Sequence, residues 1–184
     1  MEFTSIHKGL NLSGFETEAK DDQINYISPS LEKSVLADTF GYNGSMSTRV
    51  LGADIKAGLE KIIAHATKQE AEYKADMKKY LKESKGTPDQ HPGRYITKGL
   101  DAFIPDLPKC FGYKTVEASI QEMQKKDPSH GYGDCPMNKY NEAAKAYINS
   151  CVEKIYAKAM MNGINEAQFY YLNVRQATQV GIGS

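Results

Sequence analysis

Two segments of the chain carry the same helical pattern of apolar residues, and this pattern constrains the fold more than any other feature. In each segment the apolar residues recur at i, i+4, i+7 and i+11, the spacing that places side chains on one face of an α-helix. The two sets are Ile55, Leu59, Ile62 and Ala66, and Ile148, Val152, Ile155 and Ala159. Each face must be buried, and the simplest partner is the other face. The pattern therefore predicts a mostly α-helical fold with two long helices packed together.

The similarity between the two segments extends further and indicates an internal duplication of roughly 90 residues. Residues 59–66 align with residues 152–159, and the Lys-Gly-Leu sequence at 8–10 recurs at 98–100. The alternative is that short helices rich in Ala, Lys and Glu resemble one another. The duplication predicts a chain of three parts with long irregular loops. Two of the parts are helical units that can pack as one domain. The three parts are an extended N-terminal arm at 1–29, a first helical unit at 30–92 and a second at 93–184.

A shorter helix is predicted between the two long ones. Val116, Ile120 and Met123 share one helical face, which predicts a helix near residues 116–125. Thr115 is a residue type that favours the N-cap position.

The two ends of the chain are predicted to differ. Gly163 is typical of a helix end, and Asn165 predicts the N-cap of a last helix that runs to about Gln179. Residues 1–29 have no regular apolar pattern and many polar residues, so we expect them to form the extended arm and to reach a partner.

Composition and charge exclude several function classes. Lys plus Arg and Asp plus Glu both number 23, with the signs interspersed, so no basic surface is predicted for nucleic acid. No apolar run approaches the about 18 residues that span a bilayer, so no membrane insertion is expected. The chain has 12 Tyr and no Trp, and such amphipathic rings often line contact surfaces. No catalytic motif is present and the four His are scattered, so we predict that the protein is not an enzyme.

The three cysteines are Cys110, Cys135 and Cys151. They contain no Cys-x-x-Cys pair, which argues against a disulfide framework and against a structural zinc site. Two hypotheses remain open for them. They are either small buried hydrophobic residues or reactive thiols.

The surroundings of two cysteines suggest the reactive alternative. Cys135 lies in a Gly-rich loop that should expose its thiol, with Asp134 adjacent and Lys139 one turn into the next helix. Cys151 is close to Glu153. A thiolate can add to a linear tetrapyrrole to form a thioether. A carboxylate can then accept hydrogen bonds from the pyrrole N–H groups, and a lysine can bind the propionates.

Several short segments resemble the gamma-type linker subunits of red-algal phycoerythrin, which lie in the central cavity of phycobiliprotein hexamers. Residues 150–153 (Ser-Cys-Val-Glu) resemble the motif around a bilin-bearing cysteine of that family, although Lys154 stands where the family usually has Gly. Residues 139–142, 175–179 and 109–111 are similar to other segments of the family.

The resemblance implies a non-enzymatic light-harvesting linker of the phycobilisome that organises phycobiliprotein rods of phycoerythrin or phycocyanin. It implies covalent phycobilins, first at Cys151, then at Cys135 and Cys110. It also implies a location in the chloroplast stroma at the thylakoid surface or in the cyanobacterial cytoplasm, and otherwise generally inside the cell.

Two further hypotheses do not depend on this resemblance. One is a pigment-free structural or assembly adaptor, such as a coat or scaffold subunit, that uses a Tyr-rich surface and the extended arm. The other is a helical domain that binds a small ligand between the two long helices.

Overall fold

The structure is a computed structural model, and within its described residues the chain is mostly α-helical with a small sheet, which confirms the predicted fold class. The described residues are 18–20, 22–29, 39, 48–85, 104, 107–111 and 113–176. The Lys-Gly-Leu sequences at 8–10 and 98–100 lie outside them, and the duplication stays a prediction. The helices are α1 (Gly52–Ser84), α2 (Tyr113–Lys126) and α3 (Pro136–Met161).

The two long helices α1 and α3 pack against each other, as the apolar faces predict. All four predicted residues of α1 are buried, and so are three of the four in α3, with Ile155 half-buried. The helices are antiparallel: Ile62 near the start of α1 clusters with Met160 at the end of α3. Lys154 of α3 also pairs with Glu70 of α1. None of the helices in the described ranges is both long enough and apolar enough to cross a membrane.

The short helix α2 has the predicted apolar face, but it begins earlier than predicted. Val116 is buried, and Ile120 and Met123 are half-buried against the same cluster. Because α2 starts at Tyr113, Thr115 lies inside its first turn and is not the N-cap.

The described strands are β1 (Glu18–Lys20), β2 (Gln23–Ser28), β3 (Thr48–Leu51) and β4 (Phe169–Gln176). They form one sheet with the order β1-β2-β4-β3. The outer pairs β1–β2 and β3–β4 are antiparallel, whereas β2 and β4 are parallel. The centre of the sheet therefore joins the two ends of the described chain.

The predicted last helix is wrong, because residues 169–176 form strand β4. Tyr170, Leu172 and Val174 are buried while Phe169 and Tyr171 are exposed, which is the alternation of a half-buried strand. The side chain of Asn165 does not cap a helix. Its Oδ1 accepts a hydrogen bond from the Ala167 N–H in the turn that leads to β4.

The predicted N-terminal arm is wrong for residues 18–20 and 22–28, because these residues form β1 and β2. Ile24 and Tyr26 are fully buried, and β2 lies between two other strands of the sheet. Their spacing of two residues is the reason: alternate side chains of β2 point into the core. This part of the chain therefore contacts its own C-terminal strand. Residues 1–17 lie outside the described residues.

The core has two apolar clusters within the described residues. The first lies between the inner face of the sheet and the α1–α3 pair, and it includes Ile24, Tyr26, Ile55, Leu59, Leu172 and Val174. The second lies among α1, α2 and α3, and it includes all three cysteines with Phe111, Val116, Tyr140, Tyr147 and Ile148. The outer face of the sheet points away from both clusters.

Candidate functional site

Glu153 is a fully buried carboxylate that joins the sheet to α3. Its Oε1 accepts a hydrogen bond from the Tyr26 hydroxyl at 2.5 Å, and both of its oxygens accept from the Ser28 hydroxyl at 3.0 Å. A buried charge is costly unless donors satisfy it, and β2 supplies these donors. Burial, and then the negative charge of Glu153, raise the pKa of Tyr26 well above its usual value. The geometry gives Glu153 a structural role.

The structure places Cys151 on the opposite side of α3 from Glu153, because two residues along a helix differ by about 200°. Cys151 is only 3% exposed. Burial, followed by the negative charge of Glu70, raises the pKa of its thiol to about 12. The thiolate, which is the nucleophilic form, is therefore scarce near neutral pH. The two residues predicted to act together on one bilin do not face a common space.

The expectation that Cys135 is exposed is wrong: its side chain is fully buried. Cys135 precedes the first turn of α3, and its thiol donates a weak hydrogen bond to the Val116 carbonyl oxygen at 3.9 Å. The reason is packing against α2, which the local sequence of a Gly-rich loop does not reveal.

Asp134 and Lys139, the neighbours predicted to help Cys135, point to other partners. The carboxylate of Asp134 is exposed and accepts a hydrogen bond from the Gly131 N–H at 3.1 Å, which closes a short 3-10 turn. The ammonium of Lys139 lies 5.7 Å from the centre of the Tyr80 ring. The three residues are close in sequence but are not assembled around one ligand.

Cys110 is also buried, beside Phe111. The Phe111 N–H donates to Asn141 Oδ1 at 3.1 Å, and the Phe111 ring meets the Tyr140 ring edge-on, with centroids 4.8 Å apart. None of the three cysteines forms a disulfide. Their burial in one cluster favours the hypothesis that they act as small hydrophobic core residues. Within the described ranges, no group of three or more His, Cys, Asp or Glu side chains is placed to hold a metal ion.

Sequence reasoning missed the outer face of the sheet, which presents aromatic side chains to solvent. Phe169 and Tyr171, two residues apart on β4, are 49% and 47% exposed. The Arg49 guanidinium lies 4.8 Å from the centre of the Phe169 ring. Beside them, Asn173 Nδ2 donates to Asn25 Oδ1 at 3.3 Å. The run of aromatic and apolar residues at 169–174, a composition that favours a strand, was the signal that could have pointed to β4.

The junction between β3 and α1 holds this face in place. The Gly52 N–H donates to the Gln168 carbonyl oxygen at 2.7 Å, and the Ala53 N–H donates to the Glu166 carbonyl oxygen at 3.1 Å. The start of α1 is thereby bonded to the turn that precedes β4. Strands β3 and β4, which carry Arg49 and Phe169, are fixed to the same helix.

The chain was compared with protein-family models, with curated proteins and with solved structures, and no match was found.

Proposed function

We propose that the protein is a non-enzymatic assembly or adaptor protein that binds another protein through the outer face of its sheet. The observation that carries the proposal is the exposure of Phe169 and Tyr171 side by side on β4. Aromatic rings bury a large area at little cost in side-chain entropy, and they are enriched at protein interfaces. Tyr132 is the other large hydrophobic residue exposed in the described part of the chain, and it lies apart from them in the 3-10 turn.

The arrangement of groups in the core supports the same proposal. Glu153 is engaged by Tyr26 and Ser28, and the three thiols are buried, so these reactive groups serve the fold. The interface between α1 and α3 is lined by apolar side chains. On the outer face of the sheet, the described groups that can bind a partner are the rings of Phe169 and Tyr171, the Arg49 guanidinium and the amides of Asn25 and Asn173.

Site-specific photocross-linking in cells of the source organism tests the proposal. A benzophenone amino acid replaces Tyr171 in one variant and the exposed Glu60 of α1 in a control variant. We expect one discrete covalent adduct with another protein at position 171 and none at position 60. Equal adducts at both positions, or no adduct at 171, would contradict the proposal.

The light-harvesting form of this function, in which phycobiliproteins are the partner and bilins are bound to cysteines, stays a prediction from the resemblance. Because the thiols are buried, a bilin would have to be attached to Cys151 before the core folds around this residue. Visible absorption that survives denaturation of the protein from its natural source would support a thioether-linked bilin. A colourless denatured chain would leave the pigment-free adaptor.

A further inference from the structure

We propose that the outer face of the sheet binds an acidic segment in which carboxylates alternate with apolar side chains. This inference rests on the proposed function and specifies the partner. In the complex, apolar side chains of the partner pack on Phe169 and Tyr171, and a carboxylate pairs with Arg49.

The charge on the outer face of the sheet favours an acidic partner. Among the side chains described there, the charged one is Arg49; the others are Gln23, Asn25, Leu51, Phe169, Tyr171 and Asn173. The described side chains of this face therefore carry a net positive charge.

The position of Arg49 also favours a partner with carboxylates. Its guanidinium carbon lies over the Phe169 ring, 4.8 Å from the ring centre, and the guanidinium forms no ion pair with a carboxylate of the described residues. A guanidinium held over an aromatic ring keeps N–H donors that can make a bidentate contact with a carboxylate. Phe169 thus holds the cation in position for an acidic group beside the exposed rings.

Two other occupants fit this face less well. A second copy of the same face would bring another Arg49 and no described carboxylate, so the cation would be buried without a partner. Nucleic acid binding takes its affinity from several phosphate contacts. The face offers one described cation in a chain whose charges balance at 23 and 23.

Fluorescence anisotropy with the full chain and three labelled probes tests the inference. The probes are a peptide of alternating Glu and Phe, a matched peptide of alternating Lys and Phe, and an oligo(dT) strand. We expect the Glu/Phe peptide to bind most tightly, with an affinity that falls as salt increases. Arg49→Glu should weaken its binding at least about tenfold and should strengthen binding of the Lys/Phe peptide. Arg49→Gln should weaken binding of the Glu/Phe peptide by less than Arg49→Glu does, and it should not strengthen binding of the Lys/Phe peptide.

The control is Lys61→Glu, which makes the same charge change at an exposed site on α1 and should leave both peptides unaffected. Equal binding of the two peptides that still requires Phe169 and Tyr171 would overturn the acidic partner but leave the proposed function standing. Binding that does not change in the Phe169→Ser, Tyr171→Ser double variant would overturn both the acidic partner and the proposed function. Tightest binding of oligo(dT), or self-association abolished by Arg49→Glu, would overturn the acidic partner in favour of nucleic acid or of a second copy.

Discussion

At the residue scale, Glu153 shows how a buried charge can hold two distant segments together. The carboxylate lies inside the molecule because Tyr26 and Ser28 donate to it from β2. Removal of one donor would leave part of the desolvation cost uncompensated. The cysteines differ from Glu153 because they fill space in the apolar core. The raised pKa of Cys151 is a consequence of that burial.

Replacement of Tyr26 by Phe removes one of these donors and keeps the ring. We expect the free energy of unfolding, measured with urea at neutral pH, to fall by about 1–3 kcal/mol because the buried carboxylate loses a hydrogen bond. The matched control is Tyr171→Phe on the exposed face, which should change stability by less than about 0.5 kcal/mol. Equal changes in the free energy of unfolding for the two substitutions would show that the hydrogen bond from Tyr26 to Glu153 does not stabilise the fold.

Comparison of the wild type with the Tyr26→Phe variant gives a further prediction in alkaline solution. Folding raises the pKa of Tyr26, so the folded state holds this proton more tightly than the unfolded state. The resulting stabilisation is complete below the unfolded pKa of about 10 and declines as the pH rises above it. The stability difference between wild type and Tyr26→Phe should therefore be constant below about pH 9 and should shrink above about pH 10. The raised pKa of Cys151 is present in both proteins and cancels. A constant difference across this range would contradict the interpretation.

At the element scale, the junction of β3, α1 and the turn before β4 requires a residue without a side chain. A Cβ at Gly52 would lie 1.9 Å from the Asn165 carbonyl oxygen, which belongs to the backbone and cannot rotate away. Gly133 in the 3-10 turn is different, because a Cβ there would meet nothing within 4 Å.

Gly52→Ala and Gly133→Ala therefore form a matched pair. The first should lower the free energy of unfolding by about 1–3 kcal/mol or more, because the strands must move to admit the methyl group. The second should be close to neutral. Chemical unfolding of both variants checks this prediction. A Gly52→Ala protein as stable as the Gly133→Ala protein would mean that β3 and the turn before β4 are not packed in this way.

The elements also show what could be predicted from the sequence. The long helices were predictable because their apolar spacing is local and repeats over several turns. The sheet was not, because its central pairing joins residues as far apart as Asn25 and Asn173, which are separated by 148 positions. The burial of Cys135 has the same origin: a local Gly-rich sequence does not reveal that α2 covers it. The outer face could be recognised only once β4 was known to be a strand.

At the scale of the whole molecule, reactive groups and binding groups are separated. The three thiols and Glu153 are buried, whereas Phe169, Tyr171 and Arg49 lie on the outer face of the sheet. The ends of the described chain meet in the centre of this sheet, so the face depends on the complete fold. This separation supports the proposed binding function.

The most direct test of this account is the affinity for the protein that is cross-linked at position 171, measured by titration calorimetry with purified components. We expect Phe169→Ser together with Tyr171→Ser to raise the dissociation constant at least about tenfold, as for aromatic hot spots. We expect Tyr132→Ser, which removes an equally exposed ring elsewhere, to have little effect. An unchanged affinity in the double variant, with its fold intact by circular dichroism, would contradict the claim that the outer face of the sheet is the binding surface.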